Sequence, residues 1–228
     1  MDIDTSKLYA VLTGDVIGSS KLSERSRRSL YTMMQRGSEA LRSLFGDIIP
    51  LDVDIFRGDS WQMLLSAPEK SFRIGLLYRL YLKTSMQERT DTRLGVGIGP
   101  ISFIPGERVS EGEGVAFRLS GQALEEMGSF CSLGFRIHDP EGFRSQWLDS
   151  SAVLLDAIVL SWTEKQALAI YGALLGWTQK RIGSLWSPPI SQQTVAEYLK
   201  NARWHHIDRF LDFFENADHA LTRNDTGQ

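Results

Sequence analysis

A chain of 228 residues has room for one large domain or a medium one beside a small one, and two are expected here. Its formal net charge of −3 and pI near 5.8 exclude a protein that coats nucleic acid or an anionic membrane by bulk charge, so any DNA contact must be local. The single cysteine, Cys131, excludes an internal disulfide framework and a multi-cysteine zinc site. With no leader-like start and no apolar run of membrane length, the chain is expected to be soluble and cytoplasmic, with no membrane partner.

Leu8 to Asp15 (LYAVLTGD) is an apolar, β-prone run and predicts a strand. Gly18-Ser19-Ser20 then opens a helical pattern over about 20–45, with Leu30, Met33, Met34, Leu41, Leu44 and Phe45 at helical spacing. Pro50 to Arg57 (PLDVDIFR) alternates into Gly58-Asp59, and Trp61 to Leu65 follows at once, which reads as a hairpin with Asp59 at its turn. Pro68 starts a second helix that runs towards Asp91, with Phe72, Leu76, Leu77 and Leu80 on one face. Residues 93–103 (RLGVGIGPISF) predict a strand with glycines at alternate positions. A third helix over 114–127 and a short strand over 135–138 complete the order β-α-β-β-α-β-α-β, an α+β sandwich of ferredoxin-like type with its helices on one face. The polar stretch 139–151 is turn-rich and reads as a boundary, dividing the chain into 1–148 and 149–228.

Asp15 alone would be an ordinary helix cap and Asp59 an ordinary turn residue. Their position at the ends of two strands, beside a Gly-Ser turn, points instead to a two-carboxylate site for Mg²⁺ or Mn²⁺ and a phosphorylated ligand. Hard divalent ions favour one or two carboxylates plus substrate phosphates, and backbone N–H groups at a helix start suit an anion. The ligand-binding candidates here are Gly14, Val16, Ile17, Gly18 and Ser19 of the loop, with Arg57 and Arg118 as cations for the anion.

Beyond the boundary the pattern is all-α. The string SWTEKQALAIYGALLGWTQKRIGSLWSPPISQQTVAEYLKNA has the layout of a helix-turn-helix. Val195 and Leu199 face inward in its third helix, leaving Gln192, Gln193 and Thr194 able to read base edges, while Lys180, Arg181 and Lys200 could reach phosphates. The segment from 151 to 228 nevertheless carries 7 basic and 8 acidic residues, unlike a typical DNA-binding domain. Docking against a protein partner is the alternative.

The fragment GDVIGSS, the later Gly-Asp at Asp59, the strand LGVGIGPI and the helix EGEGVAFRLSGQALEEM together resemble the catalytic domain of class III nucleotide cyclases over roughly residues 8–138. The resemblance implies that Asp15 and Asp59 hold metal ions, that Glu111 matches a third acidic position, and that the working site forms in a homodimer. It also implies what is lost. The helix that should supply a ribose-orienting Asn and a phosphate-stabilising Arg carries Arg118 and Gln122 there, and Ile55 stands in the place of the purine-selecting Lys. Without the group that stabilises transition-state charge, cyclase activity is not expected. The whole chain looks most like the SatD family, which joins a degenerate cyclase-like domain to a helix-turn-helix. The implied function is a non-cyclase regulatory or sensor protein that binds a divalent metal and a nucleotide or other phosphorylated molecule. The alternatives are a metal-dependent phosphoryl- or nucleotidyl-transfer enzyme and a structural interaction module with a vestigial site.

Overall fold

Tyr9–Val16 (β1) is the predicted first strand, and apart from half-buried Asp15 its residues are buried. An apolar run buried on both faces belongs in the middle of a sheet, and β1 lies third in a five-stranded one. The order is Asp54–Phe56 (β2), Ser60–Leu65 (β3), β1, Thr92–Gly99 (β4), Leu133–Ile137 (β7). Strand β1 is antiparallel to both β3 and β4, whereas β4 and β7 run parallel. The computed structural model describes residues 3–85, 90–139 and 142–216. The last turn expected of the second helix, 86–89, and the tail beyond 216 lie outside them.

Several expected elements are shorter than their patterns. The α-helix after β1 does not begin at Gly18. A 3₁₀ turn occupies Ser19–Lys21, and the helix Glu24–Phe45 (α1) starts only after Ser23, whose hydroxyl accepts from the Ser26 N–H and caps it. The strand expected over 50–57 keeps only the three residues of β2. The second helix is Ser71–Ser85 (α2), preceded by a 3₁₀ turn at Pro68. Pro100, which cannot donate to a ladder, separates β4 from Ile101–Phe103 (β5), and β5 pairs with Glu113–Gly114 (β6) in a small second sheet.

The helices do not share one face of the sheet. Ala10, Leu12 and Val16 pack with Leu30 and Met34 of α1 and Leu77 of α2. Tyr9 and Val11 point the other way, towards Ala116 of the third helix, Val115–Glu125 (α3). The glycines of β4 explain this second layer. A Cβ on Gly95 would sit 2.4 Å from the Ser120 carbonyl oxygen, and one on Gly97 would sit 2.3 Å from that of Ala116. Alternate glycines therefore let the backbone of α3 lie directly on the strand.

The stretch read as a boundary is helix from Phe143 to Leu160 (α4), so the expected division at 148/149 falls inside it. Its side chains finish the sheet. The Phe135 N–H donates to the Asp149 carboxylate at 2.9 Å and the Ile137 N–H to the Ser145 hydroxyl at 3.3 Å, which occupies donors on the outer edge of β7. Beyond it come Glu164–Leu174 (α5), Gln179–Gly183 (α6), Gln192–Asn201 (α7) and Trp204–Asn216 (α8). One hydrophobic cluster runs from Leu12 and Phe135 through α2 to Leu211 and Phe214 of α8. Within it Phe72 stacks on Phe135 at 4.6 Å and meets Phe210 and Phe214 edge-on. Such aromatic pairs contribute about 0.5–1.5 kcal/mol each beyond their burial.

Candidate functional site

The ends of β1 and β3 come together as the hairpin reading requires. Asp15 is registered opposite Ser60 of β3, next to Asp59, and opposite Arg93 of β4. The Val16 N–H donates to the Asp59 carbonyl at 3.1 Å and ties the hairpin turn to the end of β1. The turn itself is tight, with Arg57 at φ 53° and Gly58 at φ 83°. Both carboxylates thus reach one end of the sheet.

There they are held separately. Arg93 grips Asp15 with both arms of its fork, Nε to Oδ1 at 2.8 Å and Nη2 to Oδ2, a bidentate pairing that satisfies both oxygens. That bond raises the guanidinium's pKa above its ordinary value. Asp59 instead accepts from the Ser19 hydroxyl and, at 3.4 Å, from that of Ser60. Asp15 shares its side of the sheet with Thr13, whose hydroxyl pairs with that of Ser120 on α3 at 2.8 Å. Asp59 opens onto a cavity of about 660 Å³ walled by α1 and lined among others by Ser19, Arg27, Tyr31 and Arg57.

The oxygen donors suit a hard divalent ion in kind. Two carboxylates and a serine hydroxyl stand at one sheet end, but Arg93 supplies the positive charge at Asp15, and no group of three or more His, Cys, Asp or Glu residues positioned for a metal occurs among the described residues. A metal using both acids requires Arg93 to swing away; one using Asp59 does not.

The remaining candidates fall into place unevenly. The N–H groups of Val16 and Ile17 are spent on the carbonyls of Asp59 and Asp91, so they are not free to cradle an anion. Gly14 is covered by the Trp61 ring, which a Cβ would meet at 2.4 Å. Gly18, at φ 74°, makes the turn that brings Ser19 to Asp59. Glu111 lies in a 3₁₀ turn paired with Arg108 at 3.1 Å. The same turn is anchored to β2 by bonds from Ser110 to Asp54. Burial pushes the Asp54 carboxyl up, but those bonds and Arg108 outweigh it and hold the pKa below the usual value. Arg118 is exposed on α3 and, among the described residues, has no side-chain partner. Ile55 packs against the core and Gln122 is exposed.

In the tail, Val195 and Leu199 are buried as expected while Gln192, Gln193, Lys180 and Lys200 are exposed and Thr194 is half-buried with its hydroxyl on Ser191. Arg181 lies over the Trp177 ring at 4.0 Å. The connection 184–191 between α6 and α7 is longer than the turn of about three to four residues that defines a helix-turn-helix. Sequence reasoning missed Arg93 and Arg27. Arg93 becomes visible once the β1–β4 register is known; Arg27 carried no sequence signal beyond its charge.

No family model matches the chain, and no curated protein matches it. Solved structures similar to it include the guanylyl cyclase Cya2, at 14% identity over 60% of this chain and 77% of that one, with a TM-score of 0.43. The monomeric guanylyl cyclase domain of the RhoGC fusion protein from the aquatic fungus Blastocladiella emersonii is similar at 12% identity over 60% of this chain and 84% of that one, TM-score 0.46. The adenylyl cyclase CyaB from P. aeruginosa is similar at 13% identity over 57% and 76%, TM-score 0.42. The chain is a mixed α/β protein whose five-stranded sheet is layered by helices on both faces, and no helix among the described residues is long and apolar enough to cross a membrane.

Proposed function

We propose that this protein is a regulatory or sensor protein that binds Mg²⁺ or Mn²⁺ together with a nucleotide or another phosphorylated molecule, and that it does not cyclise nucleotides. The observation that carries this reading is the placement of Asp15 and Asp59 at one end of adjacent antiparallel strands, with Ser19 bonded to the second acid. Arg118 and Gln122 on α3, and Ile55 in place of the expected lysine, remove the groups that would select a purine and stabilise transition-state charge. Asp59 and Ser19 would hold the metal, and Asp15 would join them when Arg93 releases it. A bound divalent ion supplies charge that draws phosphate oxygens to the site. The exposed polar faces of α6 and α7 would contact a protein partner or DNA.

A thermal-shift panel tests the reading by crossing Mn²⁺ or Mg²⁺ with nucleoside mono-, di- and triphosphates for the wild type and the Asp15→Asn, Asp59→Asn double variant. A ligand at a hundred times its Kd stabilises the folded state by about 2.7 kcal/mol. A metal-dependent shift that the double variant loses supports the proposal; indifference to every combination at millimolar concentration sinks it. Turnover of a nucleoside triphosphate in the same samples would instead favour the transfer-enzyme reading. A second reading, a vestigial site in an interaction module, draws on one observation, the Arg93 fork that already satisfies both oxygens of Asp15. Unchanged stability of the double variant in the presence and absence of metal would favour it.

A further inference from the structure

The cavity that Asp59 opens onto carries more positive charge than the first carboxylate site needs. Its lining includes Arg27 and Arg28 of α1 and Arg57 at the hairpin tip, against Glu24 and Asp59. Arg28 is already committed to Glu24. Among the described residues Arg27 and Arg57 have no side-chain partner, although an aspartate stands on the same wall. Unpaired arginines that face a concave site are positioned for phosphate oxygens, which a guanidinium fork contacts in bidentate fashion. The N–H groups of Val16 and Ile17 are consumed by carbonyls, which leaves Arg27 on α1 and Arg57 on the hairpin as the charged donors facing the cavity.

From this arrangement we infer that Arg27 and Arg57 form a clamp for a polyphosphate chain in this cavity, with a divalent ion on Asp59 bridging to the same chain. The inference rests on the proposed metal and phosphorylated-ligand reading and adds the subsite that selects the ligand. Charge arithmetic favours a chain over a single phosphate. The free arginines give two positive charges and the metal two more, against one from Asp59. The bridging ion makes the coupling reciprocal, so each of metal and polyphosphate tightens the other. A cavity of about 660 Å³ also leaves room for a nucleoside, and Tyr31, 44% exposed on the same wall, offers a ring to stack on it.

The test uses the full chain with sodium tripolyphosphate, ATP and GTP as probes, titrated calorimetrically with and without Mn²⁺, and Mn²⁺ alone followed by electron paramagnetic resonance. The wild type is expected to bind tripolyphosphate at least about tenfold more tightly with Mn²⁺. Arg27→Gln and Arg57→Gln should each weaken that binding about tenfold, the loss of one charge-assisted pairing, while Mn²⁺ binding and the ligand-free Tm stay near wild type. Lysine at either position should restore part of the affinity. Tighter binding of ATP or GTP than of tripolyphosphate, lost in Tyr31→Ala, would assign the natural ligand to nucleotides, and equal binding would assign it to inorganic polyphosphate. If the Arg27→Gln, Arg57→Gln double variant binds tripolyphosphate as the wild type does while Asp59→Asn does not, the clamp is overturned and the metal site stands. If the wild type binds Mn²⁺ but no polyphosphate, the clamp is likewise overturned. If it binds neither, both readings fall together.

Discussion

Arg57 sits in the left-handed region at φ 53°, where a side chain with a Cβ costs roughly 1–2 kcal/mol. Asparagine tolerates this conformation better and adds none of glycine's chain entropy. Arg57→Asn should therefore raise ligand-free stability by about 0.5–1 kcal/mol, or a few degrees in Tm, while removing one arm of the inferred clamp. Thermal unfolding without and with Mn²⁺ and tripolyphosphate checks both halves of that trade. Arg93 gives the opposite pattern. Its pair with Asp15 is partly exposed, with 38% and 27% of the two side chains accessible, and such pairs contribute at most about 1 kcal/mol. Arg93→Gln should thus cost little stability yet free Asp15 for a cation, so Mn²⁺ titration is expected to show tighter binding than in the wild type. Asp15 and Asp59 could be picked out from the chain alone because each ends an apolar, strand-like run. Arg93 could not, since its role depends on a cross-strand neighbour 78 positions away.

The helix α4 shows how an element escapes a sequence pattern. Its buried positions Leu148, Ala152, Leu155, Asp156 and Val159 keep helical spacing, but one of them is an acid and the first turns are polar, so the stretch reads as turn. The buried acid has a reason to be there. Asp156 accepts from the Nη1 of fully buried Arg79 at 2.5 Å and from the Ser132 N–H at 2.6 Å, while Arg79 also holds Asp91 at 2.7 Å. Burying these charges is costly unless each is paired. Asp156→Ala leaves Arg79 half-compensated and orphans a backbone donor, and should cost about 3–5 kcal/mol; urea unfolding monitored by circular dichroism would measure it. By contrast, α5 and α7 begin directly after Thr163 and Ser191, whose caps are local. Thr163 and Gln166 form a reciprocal capping box, and Ser191 accepts from the Thr194 N–H. Local chemistry is legible in sequence, whereas pairing between α2 and α4 is not.

Across the molecule, three carboxyls with depressed pKa values, one of them in this ion network, set the response to acid. Burial pushes the Asp91 carboxyl up, but Arg79 and Lys83 outweigh it and hold the pKa below the ordinary 3.8. Asp54 and Asp139 are lowered in the same way by hydrogen bonds and neighbouring arginines. A depressed carboxyl contributes stability that is complete above its unfolded value and lost as pH falls through the folded one. Stability from these three groups should therefore persist down to about pH 5 and fall away below about pH 4, which a series of melting curves between pH 7 and pH 3 would show. The α+β character and the strand order along the chain were readable from periodicity, because alternation and helical spacing are properties of single segments. The layering was not, because it depends on what Gly95 and Gly97 lack rather than on what they carry.

That absence governs how closely α3 lies on the sheet. With α3 resting on the strand at backbone contact, the height of the helix above the sheet is fixed by two missing methyl groups. Gly97→Ala would act as a wedge: α3 must rise or β4 must bow, and the Thr13–Ser120 hydroxyl pair that joins strand to helix would open. The gap beneath one helix thus behaves as a spacer that could be tuned without touching any charged group.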